Sequence, residues 1–458
     1  MKRLLFLSIF AALINSAEVD WKNTEISFQD LSQSISPINS LIDLSARAAV
    51  NSFSLEDALE KMPADDLKHV IANYWYQFNK DKLSKIASQK YKITPEHTLY
   101  DYTDCIQSVA ISGDKIVARY FDKSAIIWDL NTGKKLHALN GHNGRIISVA
   151  ISGDKVVTGS YDKTAIIWDL NTGKKLNTLN GHTELISSVA ISGDKVVTGS
   201  WDNSAIIWDL NTGTKLHTLN GHTDCIRSVA ISGDKVVTGS SDNSAIVWDL
   251  NTGARLHTFK GHTRAIKSVA ISGDKVVTES KYNSVIIWDL NTDAKLHTFN
   301  GHTDLISSVA VSGDKVVTGS SDKGAIIWDL NSGAKLHTLN GHTDYIKSIV
   351  ISGGKIVTGS EDKTAIIWDL NTGDKLHTLK DHIETIISVA ISGDKVVTGS
   401  WDKRAIIWNL TQPIKKLLSN ETGVITFDSL IEIDKKLHAY IQPIQPAPQG
   451  HAPTCALL

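Results

Sequence analysis

Cysteine, proline and methionine are scarce in this chain: three Cys, eight Pro and two Met in 458 residues. Cys105, Cys225 and Cys455 form an odd, scattered set, so no disulfide framework is expected and the fold must be held by packing. Neither sign of charge is in excess. A formal net charge of −2 gives no global electrostatic reason for nucleic acid or an anionic membrane as partner. A glycine-rich phosphate loop, zinc-ligand spacing and an HExxH helix are all missing, and no nucleophile, base and oxyanion set can be assembled. The expectation is no catalytic residue, no metal and no cofactor.

Long apolar runs are also missing, apart from residues 4–14, which are too few to span a bilayer. Met1, Lys2 and Arg3 precede that run and Asn15, Ser16 and Ala17 follow it. This is the layout of a secretory signal peptide over residues 1–17, so an exported or secreted protein is expected. Residues 18–90 do not repeat. Ser54 to Asp57 reads as a capping box, and Pro63 suits the start of a second helix. In that helix Leu67, Val70, Ile71, Tyr74, Trp75 and Phe78 share one face, which predicts a small helical N-terminal region.

Residues 421–458 read as a tail. They carry two apolar runs, 424–427 and 436–441, that could be a decayed half-repeat, and become Pro-rich from Gln442 to Pro453. The chain stops at Cys455-Ala456-Leu457-Leu458, a C-a-a-X pattern that makes Cys455 a lipidation candidate. Export and prenylation are compatible only if the protein is delivered into a host cytosol, where it would sit on a membrane.

What the chain has in abundance is tryptophan. Eight of its twelve (Trp128, Trp168, Trp208, Trp248, Trp288, Trp328, Trp368 and Trp408) are spaced by forty residues. Residues 101–420 are eight copies of one unit without insertion or deletion. Each holds β-branched runs such as 186–191, 195–198 and 205–208, separated by Ser-Gly-Asp and Asp-Asn-Ser turn signals, then a fourth run at 215–219. Four strands of that length make one small sheet. Such a sheet cannot bury both faces alone, so copies must stack, and a ring removes the free ends of the stack.

With Gly181-His182 at the start of a copy and Trp208-Asp209 near its end, the unit strongly resembles the WD40 repeat family over about 320 residues. The resemblance implies an all-β fold, a propeller of eight four-stranded blades over residues 91–420. It also implies a structural tetrad in each blade: His142, Ser160, Asp162 and Trp168 in one copy, His182, Ser200, Asp202 and Trp208 in the next. In the family the imidazole bridges the Asp and the Ser, whose hydroxyl meets the indole N–H. Three copies depart from the pattern: Asp101-Tyr102 and Tyr120 in the first, Glu279 and Tyr282 in the fifth, Asp381 and Asn409 in the eighth. The fifth is internal, and its tetrad network is expected to be broken. The outer strand of the last blade could come from 414–419 or from 97–100. Residues 54–78 are also faintly similar to an F-box, the module that links WD40 substrate receptors to ubiquitin ligases.

Copies this alike allow the scaffold to be subtracted. The freest columns are the third and fifth residues after the Gly-His histidine and the residue before the tetrad Asp, which in the family lie on the face where partners dock. Trp401, Phe121, Tyr161 and Trp201 should form an aromatic arc over blades 8, 1, 2 and 3, with Arg145 near it. Arg227, Lys267, Lys281 and Lys347, with Tyr345 beside them, should form a basic half. Aromatic residues opposite cations suit a protein or peptide with an apolar anchor and an acidic or phosphorylated flank. The expected protein is therefore a monomeric interaction scaffold or adaptor, possible roles being a substrate receptor, a secreted ligand-binding or structural propeller, or a prenylated host-directed effector. Nucleic acid is not an expected partner, and a membrane is expected only through lipidated Cys455.

Overall fold

The computed structural model describes residues 93–101, 104–280 and 284–411, and a two-residue antiparallel ladder of Glu25–Ile26 with Ile425–Thr426. The signal peptide, the helical region with its F-box-like stretch, Tyr102, Lys281, Tyr282, the alternative closing strand 414–419 and Cys455 lie outside the described residues. Residues 93–410 make one compact unit.

That unit is all β, with eight four-stranded antiparallel sheets. In blade 3 the strands are Ile186–Ser192, Lys195–Ser200, Ser204–Asp209 and Lys215–Asn220, from the innermost to the outermost. The repeat encodes this hairpin by hairpin. Gly193 adopts a φ of 55°, allowing the two-residue turn that sets Ser192 opposite Lys195. Asp202 Oδ1 accepts the Ser204 N–H, and Asp209 Oδ1 accepts the Asn211 and Thr212 N–H groups, so each later turn is tied by an Asp side chain.

The blade's core lies between neighbours rather than within one sheet. Val197, Ala205, Ile207 and Leu219 of blade 3 pack with Ile226, Val236, Ile246 and Trp248 of blade 4 in one buried cluster. The ring closes with the earlier of the two candidate strands. Pro95–Tyr100 pairs with Arg404–Asn409, Leu99 opposite Ala405, so the eighth blade takes its outer strand from the start of the repeat region. Both neighbours of blade 8 then bury it: Leu99, Ala405 and Ile407 share a cluster with Ile106 and Trp128 of blade 1.

Candidate functional site

The tetrad differs from the family expectation in one member. His182 Nδ1 lies 2.8 Å from Asp202 Oδ2, but its Nε2 lies 2.8 Å from Thr198 Oγ1, and Trp208 Nε1 donates to the same Thr198 oxygen at 2.9 Å. Blade 2 repeats this with His142, Asp162, Thr158 and Trp168. Ser160 and Ser200 are therefore not the link. Their hydroxyls accept the Asp162 and Asp202 N–H groups, and Ser200 donates to Glu184 O, pinning the turn above. The reason is register: Trp208 pairs with Val196, so Thr198 is two residues along the same face and Ser200 four.

Electrostatics fit a structural role for these residues. Burial alone would raise the Asp202 carboxyl, yet hydrogen bonds from His182, Ser204 and the Thr183 N–H hold it well below the usual carboxylate range. Burial pushes the His142 and His222 imidazoles below their ordinary value although Nδ1 of each lies 2.8 Å from its carboxylate. Blade 5 keeps more of its network than expected. Ser284 Oγ meets His262 Nδ1 at 2.8 Å, while the Thr278 and Trp288 links are intact. Among the described residues it is blade 1 that lacks the hydroxyl link. Ala118 stands where the others have Thr, and the buried Trp128 Nε1 and Tyr120 OH make no hydrogen bond to a hydroxyl or imidazole among the described residues. Blade 8 keeps its tetrad and adds Arg404, which donates to Asp402 and Asp381.

The turn between the second and third strands and the loop entering the first strand lie at the same end of each blade. They are tied there by one backbone bond: Phe121 N to Cys105 O, Tyr161 N to Arg145 O, Trp201 N to Leu185 O, Trp401 N to Thr385 O. Contacts between blades make the aromatic positions neighbours. The Cys105 thiol lies 3.2 Å from Trp401 O, and the Arg145 guanidinium sits 3.6 Å over the Phe121 ring and 5.9 Å from the Tyr161 ring. Phe121, Tyr161, Trp201 and Trp401 are 42–46% exposed, so all four present a face to solvent.

The other half is less basic than its sequence suggests. Lys347 pairs with Glu361 at 2.6 Å and lies 5.9 Å from the Tyr345 ring. Arg227 Nε donates to Ser241 Oγ at 2.6 Å. Lys267 reaches Glu279 Oε1 at 3.3 Å and Ser307 O at 2.8 Å. The two lysines are paired with carboxylates within the ring, whereas Arg227 is held by a neutral hydroxyl.

Two blade junctions differ from the rest. At six of the eight, a serine of one inner strand accepts an N–H of the next, as Ser148 does from Val189. These junctions close tightly because a glycine lies between them: a methyl at Gly199 would come within 2.7 Å of Ile226 Cγ2 and Val229 Cγ1. Arg119 in blade 1 and Glu279 in blade 5 occupy this glycine column, and the serine bonds between blades 1 and 2 and between 5 and 6 are the two not made. Val149 and Val309, beyond these side chains, are only partly buried, whereas their six counterparts are buried. Arg119 was not singled out from the sequence, although its place in the glycine column was the available signal.

Comparison with known proteins agrees with this architecture. A family model described as outer membrane protein assembly factor BamB matches residues 113–339, and the WD domain, G-beta repeat model matches residues 333–369 and 373–409. No curated protein matches the sequence. Among solved structures, the crystal structure of the computationally designed Ika8 protein is 28% identical, with 68% of this chain and 98% of that chain covered and a TM-score of 0.65. The forty-residue unit, the eight interlocked sheets and these matches together make residues 93–410 a WD40-like β-propeller, a fold that generally serves as a protein-interaction scaffold.

Proposed function

We propose that the ring binds an extended peptide segment of a partner protein across the rim formed by Trp401, Phe121, Tyr161 and Trp201. The observation that carries this reading is the run of four half-exposed aromatic side chains at equivalent positions of consecutive blades. Each could bury more apolar surface against a partner at little cost in side-chain entropy, as interface anchors do. Their backbones are fixed by turn hydrogen bonds, so the rim is ordered before a ligand arrives.

Selection from a displayed random-peptide library tests the proposal. Sequences with apolar or aromatic anchors should be enriched on the wild-type ring and lost, at least tenfold, when Tyr161, Trp201 and Trp401 are all replaced by alanine. Thermal unfolding should move little, because these side chains lie outside the blade core. Equal enrichment on both proteins would overturn the assignment.

A further inference from the structure

The junction between blades 1 and 2 lies under the aromatic rim and carries two guanidinium groups that no carboxylate among the described residues pairs with. Arg119 leaves the second strand of blade 1 at a position where six other blades have glycine, and its Nη1 donates to Ile146 O of blade 2 at 2.9 Å. Arg145 enters from the loop of blade 2 and spreads over Phe121. Ile146 directly follows Arg145, so the Arg119 guanidinium is anchored beside it, and after burial the Arg145 charge is the next cause lowering Arg119, to about 10. Nε of each is buried without a hydrogen-bond partner.

Like charges held together with idle donors are unfavourable unless something answers them. Among the described residues no carboxylate forms an ion pair with either arginine. The turn carboxylates beside them are engaged elsewhere: Asp122 accepts from Ser124, and Asp162 from His142, Asn143 and Thr164. The junction between blades 5 and 6 shows what an answered charge looks like, since Glu279 at the same position is paired with Lys267.

We propose that the Arg119 and Arg145 guanidiniums together hold an oxyanion, a carboxylate or phosphoryl group on a side chain of the bound peptide, with Phe121 and Tyr161 flanking it. Planar guanidinium forks suit both groups, and stacking on Phe121 fixes one fork in place. The acidic flank of the ligand is thereby assigned to the aromatic side of the ring and not to Lys267 and Lys347, whose charges are already paired with Glu279 and Glu361. This inference rests on the reading of the rim as a peptide-binding face.

Phenyl phosphate and phenylacetate, with benzyl alcohol as the neutral control, probe the site directly in a titration followed by the side-chain Nε–H resonances of the arginines. Both anions, or one of them, should bind the wild-type ring and perturb those resonances, with affinity falling as salt rises. Arg119→Gly restores the residue six other blades carry, and Arg145→Gln keeps a polar loop side chain. Each should weaken anion binding at least tenfold without touching benzyl alcohol. Binding of the phosphate alone identifies a phosphorylated ligand, and of the carboxylate alone an Asp or Glu. Anion affinity unchanged in both variants, or no anion preference over benzyl alcohol, would overturn the proposal. Peptide enrichment that depends on Tyr161, Trp201 and Trp401 but is indifferent to Arg119 and Arg145 would sink the anion site while leaving the rim intact.

Discussion

The two loosened junctions are opposite each other in the ring and are built from the same substitution with opposite charge. Between blades 5 and 6, Glu279 is almost fully buried, but Lys267 of its own blade reaches it and bridges on to Ser307 O, so the junction is satisfied from within. Between blades 1 and 2, Arg119 meets a second arginine, and both keep an idle Nε–H. A charge in the glycine column thus loosens the packing in either case. Only the junction whose charges are unpaired among the described residues is left with something to bind, which is why the first reads as a site and the second as a strut.

That contrast can be broken most forcefully at the strut. Lys267→Met removes the partner of a buried carboxylate and should lower unfolding stability in urea by about 3 kcal/mol, whereas Arg145→Met should stay within about 1 kcal/mol of wild type, having no ion pair to lose. Similar losses for both would mean that the junctions are equivalent. A smaller effect concerns the serine bonds. Ser148→Ala should cost about 1 kcal/mol by freeing the Val189 N–H, while Ser108→Ala, where no such bond is made, should be close to neutral.

The smallest effect is in pH dependence. Burial pushes His142 and His222 below their ordinary value, and His262 to about 4, so the unfolded chain binds protons more readily and stability falls as pH drops below about 6.5. Glu279 acts in the other sense. Burial raises its carboxyl despite Lys267, so protonation favours the folded ring and its contribution is lost as pH rises through the folded value. Glu279→Gln should therefore lose more stability than wild type between pH 7 and pH 5, by parallel urea titrations. An equal or smaller loss would show that the strut is not titrating.

The architecture was legible from the sequence because one forty-residue phrase, repeated without a break, leaves few other ways to bury eight small sheets. The identity of the linking hydroxyl was harder to read. Thr198 and Ser200 recur equally and lie on the same face of one strand, so recurrence cannot separate them. Strand register does: Trp208 opposite Val196 puts Thr198 one step away on the diagonal. The aromatic columns were visible as positions where like copies differ. Occupancy of the lysines was not, because Lys347 and Lys267 find their carboxylates at Glu361 and Glu279, across strand pairings that a linear scan does not show.

The strand that completes the last blade leaves the ribosome first among those of the ring. Pro95–Tyr100 cannot find its place until Arg404–Asn409, about three hundred residues later, has been made. At ordinary translation rates of about 5–20 residues per second, that is a wait of roughly 15–60 s. During this time blades 1 to 7 can assemble as an open arc, while the edges of blades 1 and 7 await their neighbour. Sealing the ring is thus a late event tied to the end of synthesis, and a chain interrupted before residue 404 would leave this strand exposed as a sticky edge that can pair with another copy.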